Sequence, residues 1–386
     1  MRRPQCSPRL PLRQRPAPLS RIPPHTSLIG DDPGRIMATL RQKPGTIVLL
    51  ALALAASGCT QWADPSLPET TVFPVSDSGG YIQDLYSLIF WMALVVFIGV
   101  EGFFLYAIVR YRRRAGDNRI PAQVHGNLRL EIAWTVLPSI VLLVITVPTI
   151  KTIFLQDTVP TASAAGGSPL TVEVTGHQWF WEFRYPELGA KVMTANEVHI
   201  PVGRTALFEL RSADVIHSFW IPKMGGKMDA VPTRVNFMWF TPQETGEFYG
   251  QCVEFCGIQH ADMRIRLFVD SPSAFQAWAT RQAEDAASPT GAQARDGAAI
   301  FQRSACPACH TIRGTAARGT TGPDLTHVGG RATIAAGMLP NNYENLIRWV
   351  SDPQGVKIGS KMRYPNDVGP SPTEAALLAA YLQSLQ

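Results

Sequence analysis

The sequence predicts a multidomain membrane protein: a two-helix transmembrane hairpin, then an exported all-β domain, then a small all-α domain at the C-terminal end. Three observations carry this. Two apolar stretches, 85–109 and 132–155, are each long enough to cross a bilayer as a helix. Residues 169–271 break into short β-rich runs punctuated by Gly and Pro. Residues 293–386 carry helix-like amphipathic segments around a single Cys-x-x-Cys-His motif.

Length and composition agree with that division. At 386 residues the chain is too long for one compact core. Apolar residues make up 46% and charged residues only 17%, a low charged share that suits a protein with part of its surface in lipid. The net charge of +5 resides in residues 1–36, where seven arginines stand against Asp31 and Asp32. The remainder is neutral, so a nucleic-acid partner loses its electrostatic support.

Residues 1–36 are Pro- and Arg-rich without apolar periodicity and read as a disordered leader, with Met37 the better start. Residues 37–59 have a signal-peptide layout: Arg41 and Lys43, an apolar run over 47–56, then small residues up to Cys59. That run is too short to span a bilayer. Ala-Ser-Gly-Cys at 56–59 resembles a lipoprotein box with Cys59 as the lipidated residue, although the usual Leu three residues earlier is missing. Ordinary signal cleavage nearby is the alternative.

The hairpin, taken as 80–160, is oriented by its basic residues. No Lys or Arg occurs between Lys43 and Arg110, whereas Arg110, Arg112, Arg113, Arg114, Arg119 and Arg129 crowd the loop between the spans. The positive-inside rule places that loop in the cytoplasm, and everything after residue 155 outside it. Glu101 lies within the first span, where a protonated or helix-packed carboxyl is the expectation. Glu131 stands at the cytoplasmic start of the second.

In the exported domain, runs at 170–174, 179–185, 197–200, 205–211, 235–240, 247–251 and 263–268 predict a sandwich or small barrel. Its chemistry lies at His217 and in Cys252-Val-Glu-Phe-Cys256-Gly-Ile-Gln-His260-Ala-Asp-Met263. Thiolates with imidazoles select copper, zinc or iron–sulfur, and a thioether tilts the choice toward copper. One cysteine more than a single-copper site requires points to two bridging thiolates between two copper ions. A Cys252–Cys256 disulfide and a Cys2His2 zinc site are the alternatives, and neither uses Met263.

These residues, with Gly176-His-Gln-Trp-Phe-Trp181, Ser212-Ala-Asp-Val-Ile-His217-Ser-Phe-Trp-Ile-Pro222, the stretch 223–232 and Glu131-Ile-Ala-Trp-Thr-Val-Leu-Pro138, resemble subunit II of cytochrome c oxidase over most of 80–270. The resemblance implies a cupredoxin fold holding the dinuclear copper centre CuA. Cys252 and Cys256 would bridge, His217 and His260 would be terminal ligands, Met263 a weak one, and the Glu254 carbonyl would complete the set. It further implies that the Glu254 side chain helps bind a magnesium ion shared with subunit I. Trp179 would be the aromatic residue through which electrons enter, and Glu131 the mouth of a proton path. Core-filling strand aromatics remain the plainer reading of Trp179 and Trp181, and a dipole-stabilised first-turn carboxylate that of Glu131.

Residues 272–292 read as a linker with a short helix at 273–283. Cys306-Pro-Ala-Cys309-His310 is a haem-attachment signature: two thioethers fix the porphyrin and the histidine ligates iron. Helix-like segments at 295–303, 343–351 and 373–385 surround it, and residues 293–386 resemble a class I cytochrome c. Met362 is the expected sixth ligand, with Met338 its rival. Residues 169–271 hold nine basic against twelve acidic residues and 293–386 nine against six, so the two modules have opposite net charge. A linker of about twenty residues would keep them at high effective concentration, making transfer between them only weakly salt-dependent.

The resemblance thus implies the electron-entry subunit of a respiratory haem–copper oxidase, passing electrons from haem c through CuA to subunit I for proton-coupled reduction of O2. Expected partners are subunits I and III, a cytochrome c or cytochrome bc complex as donor, and membrane lipid. The expected location is a bacterial cytoplasmic membrane, with both redox domains on the outer face. The rival reading is a membrane-tethered electron carrier or copper-delivery protein acting without an oxidase. No nucleophile–base constellation suggests bond chemistry. Quinol-oxidase subunits lack the copper ligands, and eight histidines are too few for a nitrous-oxide-reducing cluster.

Overall fold

The computed structural model of the chain describes residues 64–116, 120, 122–162 and 167–386. The leader 1–36, the signal segment 37–59 and Cys59 lie outside the described residues.

Helices α1 (Asp77–Tyr111) and α2 (Leu128–Asp157) form the hairpin. They outrun the apolar stretches at their ends, rising about 52 and 45 Å against a hydrocarbon core of about 30 Å. Ser76 caps α1, its Oγ accepting from Gly79 N at 3.0 Å. Asn127 caps α2 by accepting from Arg129 N and Leu130 N. Val95, Phe103, Val109, Leu142, Leu143 and Phe154 are exposed on the hairpin surface, which suits a lipid environment. The outer end of the hairpin is seated on the β-domain. Asp77 Oδ1 accepts from Thr241 N at 2.8 Å, and the Trp239 indole N–H donates to Gln156 O at 2.9 Å.

Ten strands follow: β1 (Leu170–His177), β2 (Phe180–Arg184), β3 (Met193–Ala195), β4 (Glu197–Pro201), β5 (Ala206–Ser212), β6 (His217–Trp220), β7 (Met228–Ala230), β8 (Asn236–Phe240), β9 (Gly246–Cys252) and β10 (Arg264–Asp270). They make two five-stranded sheets, ordered β3-β2-β1-β5-β8 and β4-β10-β9-β6-β7. Pairs β1–β5 and β4–β10 are parallel and the others antiparallel, so the fold is a sandwich closed by crossovers. Strict alternation along β1 buries Leu170, Val172 and Val174, which meet Trp181, Phe208 and Phe219 in a continuous core. Strands β3, β6 and β7 are three or four residues long, too short to show a period in sequence. Residue 179, expected in a strand, lies in the two-residue turn of the β1–β2 hairpin, because His177 pairs with Phe180.

Half of the expected linker is helix α3 (Pro272–Ala283), capped by Ser271 and packed on the sandwich through Phe275, Trp278 and Ala279. Trp278 stacks on His199 at 4.4 Å and meets Tyr185 edge-on at 5.2 Å. Trp278→Ala is expected to cost about 3–5 kcal/mol, the usual range for emptying such a site. The check is a lowered thermal midpoint together with faster proteolysis near residue 284. The residues just after the helix are also held. Asp285 pairs with Lys191 at 2.9 Å, and Arg313 donates to the carbonyls of Gln282 and Glu284 at 2.6 and 2.7 Å. The helix expected at 273–283 is thus present, and residues 272–286 form a packed strap rather than a free tether.

The C-terminal module comprises α4 (Ala292–Arg303), α5 (Cys306–Cys309), a two-strand ribbon of β11 (Thr333–Ile334) and β12 (Leu339–Pro340), then α6 (Tyr343–Ser351), α7 (Pro353–Val356) and α8 (Pro372–Ser384). Helix α8 starts with a complete capping box between Ser371 and Glu374. It crosses α4 with Phe301 and Tyr381 edge-on at 5.7 Å, and Leu346, Val350, Leu378 and Leu382 complete the second core.

Candidate functional site

The β9–β10 loop folds back on itself so that its sulfurs converge beneath β6. Cys252 and Cys256 are free thiols with sulfurs 3.8 Å apart. Cys256 Sγ lies 3.8 Å from His260 Nδ1 and 4.0 Å from Met263 Sδ, while Cys252 Sγ is 3.3 Å from the Glu254 carbonyl oxygen. Residue His217, at the start of β6, brings a ring nitrogen into the same cluster: its donor atom and the two sulfurs lie within 4.8 Å of one another. Glu254 itself turns its side chain to the exposed surface.

The electrostatics suit a soft metal. The Cys252 thiol is pulled down to about 3, chiefly by its hydrogen bond with Cys256, against the effect of burial and with help from His217. Cys256 is pushed up because the neighbouring sulfur takes the charge and because it is buried. His217 is fully buried, its Nε2 bonded to Asp214 Oδ1 at 2.8 Å and its Nδ1 without a hydrogen-bond partner. A buried imidazole nitrogen left unpaired beside two sulfurs is an open ligand position. Asp214, unremarked in the sequence reading, is held below the usual carboxylate range: burial opposes this, but His217 and the Gln178 and Val215 amides donate to it. The thioether inside the cluster favours copper over a closed tetrahedral zinc site.

A second site opens in the C-terminal module. Cys306, Cys309 and His310 line one cavity together with Met362, Leu346 and Leu378, whereas Met338 is not among the lining residues. His310 Nδ1 bonds to the Pro323 carbonyl at 2.8 Å, which fixes the tautomer and leaves Nε2 as the available ligand atom. Burial lowers its proton affinity, keeping the imidazole in the neutral form that binds a metal. A Cβ on Gly322 would come within 2.6 Å of the His310 ring, so only glycine allows that ring its place. An apolar cavity with paired cysteines and a fixed histidine fits a haem.

The two sites meet at Trp179. Its ring lines the cavity, and its indole N–H donates to the Cys256 carbonyl at 3.0 Å. Gly257 (φ +118°) makes room, since a Cβ there would stand 2.9 Å from that ring. Trp181, two residues on, is fully buried in the sandwich core. Trp181 is thus a core aromatic, while Trp179 is partly buried, packed on the edge of that core and facing the cavity. Gln178, Gln259, Lys357 and Lys361 also line the seam. Gln178 and Gln259 lie inside the motif segments without a role assigned there, and Lys357 and Lys361 reach them from a distant segment.

Glu131 lies apart from both sites, in the first turn of α2, where its Oε1 accepts from Asn127 N at 3.1 Å. Glu101 lies within α1 and lines an apolar cavity with Val96, Phe97, Val141 and Ile145 from the two hairpin helices.

Comparison with known proteins places each segment. Residues 71–152 match the transmembrane domain of cytochrome c oxidase subunit II, residues 170–269 its periplasmic domain, and residues 294–386 cytochrome c. Cytochrome c oxidase subunit 2 of Alkalihalophilus pseudofirmus is 39% identical over 317 residues, covering 82% of this chain and 91% of that protein. The Bacillus subtilis subunit 2 is 36% identical over 358 residues, covering 88% and 97%. The solved periplasmic domain of subunit II from Bradyrhizobium japonicum is 36% identical over 32% of this chain and 95% of that one, with a TM-score of 0.29. Copper and haem are the groups these domains imply, and subunit I of the oxidase is the partner. Two membrane-spanning helices carrying an outward-facing domain, a donor cluster suited to copper, and a cytochrome c module close the case: the chain belongs to the cytochrome c oxidase subunit II family.

Proposed function

We propose that this chain is the electron-entry subunit of a proton-pumping haem–copper oxidase. In this reading Cys306 and Cys309 would attach a haem c covalently, and His310 and Met362 would hold its iron. Cys252 and Cys256 would share the two copper ions of CuA, with His217, His260, Met263 and the Glu254 carbonyl completing their ligands. When bound, these groups supply one-electron transfer from an external cytochrome c or cytochrome bc complex toward subunit I, where O2 is reduced to water. Subunit III is a further partner, in a bacterial cytoplasmic membrane with both redox domains on its outer face. The exposed Glu254 side chain is free to reach a magnesium ion shared with subunit I.

One observation carries the reading: Trp179 touches both sites, walling the cavity while hydrogen-bonded to the Cys256 carbonyl. The protein's own contribution is to keep these parts rigid and dry. Buried Met263, Cys252 and Cys256 exclude water from one centre, and Asp214 holds the His217 ring in orientation. Metal analysis with visible and EPR spectra of the purified full chain tests the reading. Two coppers and one covalent haem per chain are expected, and a single copper or an extractable haem would refute it.

Glu131 is proposed as the proton-collecting carboxylate at the cytoplasmic side. Glu131→Gln keeps an oxygen that can accept from Asn127 N, so the helix start is preserved while the ionisable group is lost. Turnover of the assembled oxidase is expected to fall severalfold with both metal spectra unchanged. Unchanged turnover would leave Glu131 a capping residue only.

A further inference from the structure

The segment carrying Met362 is bolted to the loop carrying His260. Gln259, 2% exposed, donates from its side-chain amide to the carbonyls of Lys357 and Ile358, both at 3.0 Å. Lys357, 3% exposed, turns its ammonium back to the Trp179 carbonyl at 3.0 Å. Lys361 donates to Gln178 Oε1 at 3.0 Å, stands 3.8 Å from Asp214 Oδ2 and lies 5.6 Å over the Trp179 ring. Gln178 in turn donates to the Cys256 carbonyl at 2.8 Å. Each bond joins the cavity wall to a residue beside a sulfur or imidazole of the other site.

A second anchor lies on the cavity's other flank. Glu197, 3% exposed at the start of β4, accepts from Ala332 N, Thr333 N and Thr333 Oγ1 at 3.1, 2.7 and 2.8 Å. Arg264 N donates to the Ala336 carbonyl at 3.1 Å beside it. Buried polar groups that are fully satisfied in one arrangement, and only there, specify that arrangement. Exposed ion pairs between oppositely charged faces would not, because they tolerate sliding and are screened by salt.

We propose that the buried pair Gln259 and Lys357 forms a positioning clamp that fixes the cavity against Trp179, with the exposed Lys361 only at its rim, making the cytochrome module a docked donor rather than a mobile tethered one. The proposal rests on the electron-entry reading above and deepens it. Electron transfer falls off exponentially with separation, so a clamp that removes the search for a productive pose sets both the rate and its insensitivity to solvent. The external donor must then approach the module's outward surface, because the Trp179 face is already covered by this chain.

The test uses the full chain assembled in its oxidase. Gln259→Leu preserves side-chain volume and removes both donated bonds, and Lys357→Met removes the third. Each is expected to slow flash-induced haem-to-copper transfer by about 10- to 100-fold, the scale on which an ångström of misplacement acts. The residual rate should become dependent on viscosity, amide exchange at Ala332 and Thr333 should rise, and both metal spectra should stay intact. Wild-type transfer and exchange in the Gln259→Leu/Lys357→Met double variant would overturn the clamp. Where a variant does not accumulate, the unmodified chain decides: slow exchange across 357–361 with viscosity-independent transfer is expected, and fast exchange with viscosity-limited transfer overturns it. Absence of the copper or haem spectrum from the unmodified chain would instead defeat the electron-entry reading, leaving the clamp to be judged by exchange alone.

Discussion

Cys252→Ser is expected to abolish the two-copper EPR signature of the full chain while leaving the haem spectrum unchanged. The substitution is nearly isosteric, so the sandwich core tolerates it, but it replaces one sulfur of the cluster with a hydroxyl that stays protonated at neutral pH. Cys252 and Cys256 together lose a first proton more readily than an ordinary thiol, because each sulfur can donate to the other's thiolate. Without Cys252, Cys256 alone faces His260 and Met263, and His217 loses the sulfur partner with which its open Nδ1 would share a metal. One soft bridging ligand cannot be replaced by a hard neutral oxygen. Copper content should drop to one ion or none per chain. A retained mixed-valence signal would show that Cys252 does not bridge. The haem serves as an internal control, because Cys306, Cys309 and His310 line a different cavity.

Much of this was legible in the sequence because ligands cluster locally. Cys252, Cys256, His260 and Met263 fall within one loop, and Cys306, Cys309 and His310 within one turn, so spacing marked both segments and the family resemblance supplied the chemistry expected of them. The hairpin was equally plain, since length and charge asymmetry are properties of a contiguous segment. What escaped depends on the pairing of distant residues. Gln259 meets Lys357 about a hundred residues away. Its place inside the cysteine loop gives no hint of that partner, and Asp214, only three residues before His217, escapes notice because a lone carboxylate in a loop names no role. The short helix expected at 273–283 is present as Pro272–Ala283, but its docking through Phe275 and Trp278 was not legible, since the partners lie in the sandwich. The sequence shows opposite net charge on the two modules and a linker between them, but not the contacts that seat one on the other. The contacts that seat the module are buried hydrogen bonds at Glu197 and Gln259.

Met362→Leu is expected to lower the haem reduction potential by on the order of 100 mV, a fraction of the roughly 0.8 V that axial ligands span. The low-spin visible spectrum should change with it. A thioether stabilises the reduced iron of His/Met-ligated cytochromes, and leucine fills similar space without a donor atom. Sequence alone left two candidates, because the segment Lys361-Met-Arg-Tyr-Pro365 interrupts the expected Met-Pro pair and Met338 was available. Position favours Met362. Met362 lines the cavity with His310, held there by the bonds of Gln354 to the Ser360 and Met362 carbonyls at 2.6 and 3.2 Å. The neighbouring Tyr364 hydroxyl donates to the Val350 carbonyl, pinning the turn beyond it to α6. Met338 sits in the turn of the β11–β12 ribbon, outside the lining. Met338→Leu should therefore leave spectrum and potential unchanged, and the pair of variants forms a single experiment on the full chain. A potential that falls with Met338→Leu and holds with Met362→Leu would reverse the assignment. It would also require the segment after α7 to move before the iron is ligated, which the bonds from Gln259 and Gln354 oppose.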